Sequence, residues 1–223
     1  ETAYFEWQNE KPSEAEAANV VEFVCGPNNP DGELREPEFT GSRVVWDMAY
    51  RWPFYTPIGK THELGAHDIA LFTMSKVTGH AGTRLGWAMT KDKELASFMR
   101  RWVSQTTLSV PRDTAYRATA LFNHLVETKG AMFGEIGAMM ARKWEVLTEI
   151  FSGSDRFDLQ PSMEPPEHCL FEDKVKPPSP AYAWVRCVDV DASSCDEAPF
   201  DYFGNWVTFC GCAKVFKDAG VMS

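Results

Sequence analysis

Four short apolar runs, each closed by polar or turn-forming residues, organise residues 18–90. Residues 18–25 (ANVVEFVC) are rich in β-branched side chains and stop at GPNNPDG, a cluster that favours a turn. Residues 42–50 (SRVVWDMAY), 67–75 (HDIALFTMS) and 84–90 (RLGWAMT) repeat the pattern, the first of these three with a lone acid, Asp47, near its end. Runs this short and this continuously apolar predict strands of a sheet covered on both faces.

The period changes at Asp92. DKELASFMRRW has helical spacing, and the acid at its start favours the positive end of the helix dipole. Beyond SVPRD, Ala118, Leu121, Phe122, Leu125 and Val126 fall at i, i+3, i+4, i+7 and i+8, the spacing of one apolar helix face. Helical character continues, with a break near Gly130, through AMMARKWEVLTEIF. A proline-rich linker, PSMEPPE, precedes PPSPAYAWVRCVDV, in which residues 181–188 read as a strand of a second unit. No internal repeat interrupts this order. The pattern predicts an α/β fold, with a partial large domain and mainly parallel sheet over residues 1–156. Residues 157–223 then read as the start of a small α+β C-terminal domain.

Composition narrows the class of partner. With 32 acidic against 22 basic residues the formal charge is −10, so neither nucleic acid nor an anionic membrane is expected. No apolar run approaches the roughly 20 residues that span a bilayer. The chain opens on Glu1 rather than methionine, so a processed, excised or incomplete N-terminal end is expected. The six cysteines, Cys25, Cys169, Cys187, Cys195, Cys210 and Cys212, contain no CxxC pair. Cys187 and Cys195 flank a polar turn, VDVDASS, and are spaced either to bridge in an oxidising compartment or to remain free thiols.

Two motifs fail on geometry. In HELGAH (62–67) the histidines are five apart, about 140° round a helix, whereas a zincin helix sets them four apart on one face. A polar loop is expected there, and no metal. GHAGTR (79–84) lacks the GK[ST] ending of a P-loop. Lys76 is different, because it has company. Asn29, Asp47, Lys76 and Arg84 each sit at or just past the end of a strand-like run, or open the next one. In open α/β sheets that edge is where ligands bind. A lysine, a carboxylate, an arginine and hydroxyls converging there suit pyridoxal 5'-phosphate. Its aldehyde takes an amine, its ring nitrogen stays protonated beside a carboxylate, and its phosphate accepts from an arginine fork and hydroxyls.

The block FTMSKVTGHAGTRLGWAM (72–89), with GPNNPDG and WDMAYRWPFYTPI upstream, resembles the alliinase family and its relatives, the tryptophan aminotransferase-related enzymes of plants. All are fold-type I pyridoxal-phosphate enzymes. The resemblance runs from about residue 19 to residue 188, and PPSPAYAWVRC and SDRF lean toward the alliin lyase side. It implies a fold-type I architecture with Lys76 as the Schiff-base lysine and catalytic base. Asp47 would pair with the pyridinium nitrogen, and Asn29 and Tyr50 would hydrogen-bond the ring 3-oxygen. Asp47 and Tyr50 keep the D-x-x-Y spacing of that pattern. Thr73 and Arg84 would hold the phosphate. The resemblance also favours a Cys187–Cys195 disulfide.

For the intact enzyme it implies a homodimer acting on a small amino acid. The favoured activity is a carbon–sulfur lyase that cleaves cysteine S-oxides by β-elimination to pyruvate, ammonia and a sulfenate. An aromatic amino acid (tryptophan) aminotransferase is the alternative, and a catalytically inactive fragment of the family is the third reading. Vacuolar or secretory location goes with the lyase, cytoplasmic location with the aminotransferase. Members of the family carry an upstream Gly/Ser-rich phosphate loop, a stacking aromatic, and a downstream arginine for the substrate carboxylate. These have no counterpart in this chain, so weak cofactor binding and no substrate clamp are expected of it alone.

Overall fold

The computed structural model of the chain describes residues 13, 18–29, 31–59, 62–155, 157–160 and 165–187, with residues 186 and 187 described by backbone alone. Four strands form the main sheet: β1 (Val21–Cys25), β2 (Arg43–Asp47), β3 (Ile69–Thr73) and β4 (Gly86–Met89), in that order across it. The first three run parallel and β4 returns antiparallel to β3. This is the mainly parallel α/β sheet that the apolar runs predict.

The register aligns Val24, Trp46 and Ala70 across the parallel strands. With Val44 and Met48 they form a buried cluster on one face. The other face differs: Phe23 is 67% and Leu71 38% exposed. Among the described residues the sheet is therefore covered on one face, not on both as the apolar runs suggest. Successive side chains of a strand point to opposite faces, so a run that is apolar throughout supplies two apolar faces whether or not both are covered.

Asp68 fixes the entry into β3. Its buried carboxylate accepts from the Val44 N–H at 3.1 Å, the Trp46 Nε1–H at 3.2 Å and the Gly65 N–H at 2.8 Å. Three donors are what make a buried carboxylate tolerable. HELGAH is accordingly loop and turn.

β3 runs directly into α1 (Met74–Val77), a single turn, so the strand stops two residues before its apolar run does. The longer helices are α2 (Lys93–Thr106), α3 (Arg112–Glu127) and α4 (Ala131–Ser152). Asp92 caps α2 by accepting from the N–H groups of Glu94 and Leu95. The break between α3 and α4 falls at residues 128–130, where Gly130 takes φ +72°. On the predicted face of α3, Ala118 is buried with Met74 and Val77, and Leu121 and Phe122 pack against that cluster. Val126 does not join them and is 76% exposed.

The fold divides into two units. One comprises Glu1–Leu147 with Pro161–Trp184, the other Thr148–Gln160 with Val185–Ser223. The second unit pairs β5 (Phe157–Leu159) antiparallel with β8 (Val185–Cys187), the latter inside the strand expected at 181–188. The first unit adds a hairpin of β6 (Glu167–Cys169) and β7 (Lys174–Lys176) to its main sheet. Strands of three residues carry too little periodicity to be read from sequence. Cys25 and Cys169 are free thiols. The expected partner of Cys187, Cys195, lies outside the described residues.

Candidate active site

Lys76 is presented by a turn whose other side is buried. Thr73, the last residue of β3, caps α1: its Oγ1 accepts from the Ser75 N–H at 3.2 Å. Met74 and Val77, 0% and 1% exposed, belong to the core. Lys76 lies on a different side of the turn, partly buried, with Nζ 5.0 Å from the centroid of the Tyr50 ring. Among the described residues no carboxylate lies within ion-pair distance of it.

Asp47 and Tyr50 come from the end of β2. Asp47 is in register with Cys25 on β1 and Leu71 on β3. Its Oδ1 accepts from the Ala49 N–H at 2.9 Å, which turns the chain toward Tyr50. The carboxylate thus shapes a turn and also stands exposed at the strand end. The Tyr50 hydroxyl hydrogen-bonds that of Tyr182, and the two rings meet edge to face with centroids 5.0 Å apart. Tyr55 lies 5.9 Å from Tyr50 by centroid, and burial, then Tyr50, push its phenol up. Burial, followed by the Asp47 charge, likewise pushes the Cys25 thiol up. Both influences disfavour the Cys25 thiolate.

Thr73 and Arg84 approach each other through the β3–β4 pair. Thr73 is in register with Gly86, and its Oγ1 lies 3.4 Å from the Leu85 carbonyl oxygen, next to Arg84 in sequence. Arg84 closes a 3₁₀ turn (Ala81–Thr83) at φ 54°, ψ 41°, with Nη1 donating to the Ala81 carbonyl at 3.1 Å. A left-handed conformation at a non-glycine residue costs roughly 1–3 kcal/mol, and such strain gathers at functional positions. Thr83 beside it is buried, and its hydroxyl has no partner. Asn29 stands apart. It is exposed in the turn after β1, where Asn28 supplies the side-chain bonds, Nδ2 donating to Asp31 at 2.8 Å.

Tyr182 is not marked by any local pattern, yet it reaches Tyr50 from 132 positions away. Its segment is held by three distant contacts. The Ser179 N–H donates to the Tyr55 carbonyl at 2.8 Å, and the Trp144 Nε1–H donates to the Pro180 carbonyl at 2.9 Å. At Gly32, φ +76°, a Cβ would lie 2.8 Å from Pro180 Cβ, so only glycine admits this approach.

The donor set fits pyridoxal 5'-phosphate. It offers an amine without a carboxylate partner, a carboxylate at the strand end and a phenol against the amine. At the other end stand an arginine and hydroxyls. The buried Thr83 hydroxyl beside Arg84, without a partner among the described residues, would be satisfied by an anion bound there.

Solved structures place this fold. An aminotransferase from Mycobacterium tuberculosis matches with a TM-score of 0.51 and 20% identity, over 66% of this chain and 42% of its own. The fold is the fold-type I architecture of such aminotransferases. Within it, the family model described as Allinase matches residues 1–200, and the chain belongs to this alliinase family, whose members depend on pyridoxal phosphate. Tryptophan aminotransferase-related protein 3 of Arabidopsis thaliana is 38% identical over 181 residues, covering 80% of this chain and 38% of its own length. Alliin lyase 1 of Allium sativum is 38% identical over 174 residues, covering 75% of this chain and 35% of its own. The chain thus spans well under half the length of these curated relatives.

Proposed function

We propose that this chain carries the lysine-bearing part of a pyridoxal-phosphate-dependent carbon–sulfur lyase acting on cysteine S-oxides. The observation that carries the reading is the Lys76 amine held over the Tyr50 ring, three residues past Asp47 at the end of a parallel strand. When bound, the cofactor supplies an aldehyde that captures amines and a ring that takes up the electron pair released at Cα. Lys76 would hold it through Nζ and would take up the substrate Cα proton at that same atom. Asp47 keeps the ring nitrogen protonated. Tyr50 donates to the ring 3-oxygen, with Asn29 as its second donor. Arg84, as a planar fork, and Thr73 hold the phosphate. Loss of a sulfenate from Cβ then leads to pyruvate and ammonia.

Aromatic amino acid transamination is the second reading, supported by the equal 38% identity to a tryptophan aminotransferase-related protein. It uses the same residues up to proton abstraction and differs in where Lys76 returns the proton. The complete protein, loaded with cofactor, separates the two. Pyruvate from a cysteine S-oxide without added oxo acid supports the lyase. Tryptophan consumption that requires an oxo acid supports transfer. A loaded protein inert in both assays excludes both.

A further inference from the structure

Tyr50 is pinned at two points, its ring face against the Lys76 amine and its hydroxyl against that of Tyr182. A phenol has one proton to give and an oxygen that also accepts. In a contact between two phenols one gives and the other receives. If Tyr50 gave its proton to Tyr182, none would remain for a ligand. If Tyr182 is the donor, the Tyr50 proton is free to point at an acceptor on its other side.

We infer that Tyr182 is a positioning residue that works through Tyr50, donating to its oxygen and directing the Tyr50 proton toward the ring oxygen of the bound cofactor. The inference rests on the cofactor reading above and adds to it a residue from a segment distant in sequence. Two hydrogen bonds in series polarise one another, so the Tyr50 donation is stronger with Tyr182 behind it. The placement of Tyr182 is built rather than incidental. The Ser179–Tyr55 bond, the Trp144–Pro180 bond and the close approach at Gly32 all fix the segment that carries it.

The test is a pH titration of the visible absorption band of the cofactor bound to the complete protein, with no substrate present. Donation to the ring oxygen stabilises its anion, most of all after the adjacent linkage to Lys76 has lost its proton. Deleting a donor therefore moves the midpoint up. Tyr50→Phe is expected to raise it by about 1 pH unit and Tyr182→Phe by about 0.5, the worth of one neutral hydrogen bond weakened rather than lost. Added to Tyr50→Phe, Tyr182→Phe should shift nothing further, because its action passes through the missing hydroxyl. Trp144→Phe, which loosens the segment and leaves both phenols in place, should give a smaller rise and covers the case in which Tyr182→Phe fails to fold. A midpoint unmoved by Tyr182→Phe, or moved equally with and without the Tyr50 hydroxyl, overturns the inference while leaving the cofactor reading intact. A wild-type protein with no visible band overturns both.

Discussion

Two segments meet at Tyr50 and are held in opposite ways. The stretch from β3 to β4 is locked by strand pairing on both sides, with the Met48 N–H donating to the Leu71 carbonyl at 2.9 Å and the Met74 N–H to the Leu85 carbonyl at 3.0 Å. Its turn is anchored by Met74 and Val77 in the core. Among the described residues the stretch 177–184 pairs with no strand, and the contacts that hold it include those of Ser179 and Trp144 and the close approach at Gly32. The Lys76 amine thus sits on a part of the molecule held by strand pairing. The phenol that supports its neighbour sits on a part set by single contacts. Changes in the first should abolish chemistry or fold, and changes in the second should tune the site.

The largest expected effect sharpens the first half of that contrast. Lys76→Ala should abolish covalent attachment of the cofactor, read by mass after borohydride reduction, and lower turnover by about 100- to 10,000-fold. The thermal midpoint of the cofactor-free protein should barely move, because α1 is anchored by Met74 and Val77 and not by the lysine. A large drop in that midpoint would mean that Lys76 itself holds the turn, and the division between scaffold and chemistry would fail. Met74→Ala is the complementary change. It removes a side chain with 0% exposure and should cost about 2–5 kcal/mol in a denaturant titration. A cost under about 1 kcal/mol would show that the turn is not locked.

Gly32→Ala probes the second segment. The added Cβ strains φ +76° and meets Pro180, so a destabilisation of more than about 1 kcal/mol is expected. The visible-band midpoint should also move to that of Tyr182→Phe, since Tyr182 leaves Tyr50. A variant that loses stability but keeps the wild-type midpoint would show that Tyr182 is held by something other than the Gly32 approach.

The same contrast explains what could be read in advance. β1 to β4 were legible because each is an apolar run ended by a turn, and Lys76, Asp47 and Arg84 were legible because they stand at those ends. The stop of β3 at Thr73 was not, since it depends on a side-chain cap inside a run that stays apolar to Met74. Asp68 went unmarked because its value lies in three donors, from Val44, Trp46 and Gly65, that only the folded chain gathers. Tyr182 is the extreme case, joined to Tyr50 across 132 positions by contacts with no local signature. Asn29 shows the converse: its sequence context marks a turn, yet the turn's side-chain bonds belong to Asn28.

The smallest expected effect lies at the rim of the locked segment. Asp92, which follows β4, accepts from the Leu95 and Glu94 N–H groups and pairs with His67, which precedes β3, at 2.8 Å. One half-buried carboxylate therefore braces the entry and the exit of the segment that carries Lys76. The Leu95 N–H, the His67 hydrogen bond and then the Glu94 N–H hold its carboxyl below the usual value of 3.8. A folded value below the unfolded one means that the brace contributes fully above 3.8 and is lost as pH falls through the folded value. Amide exchange at Glu94 and Leu95 should thus be insensitive to this group above 3.8, with protection declining only in stronger acid. Asp92→Asn should remove that acid-dependent step and leave β3, whose Thr73 cap and strand pairing do not depend on the charge, as protected as before. If protection of β3 fell together with that of α2, the locked segment would owe its order to its rim rather than to its pairing, and the contrast with residues 177–184 would become one of degree.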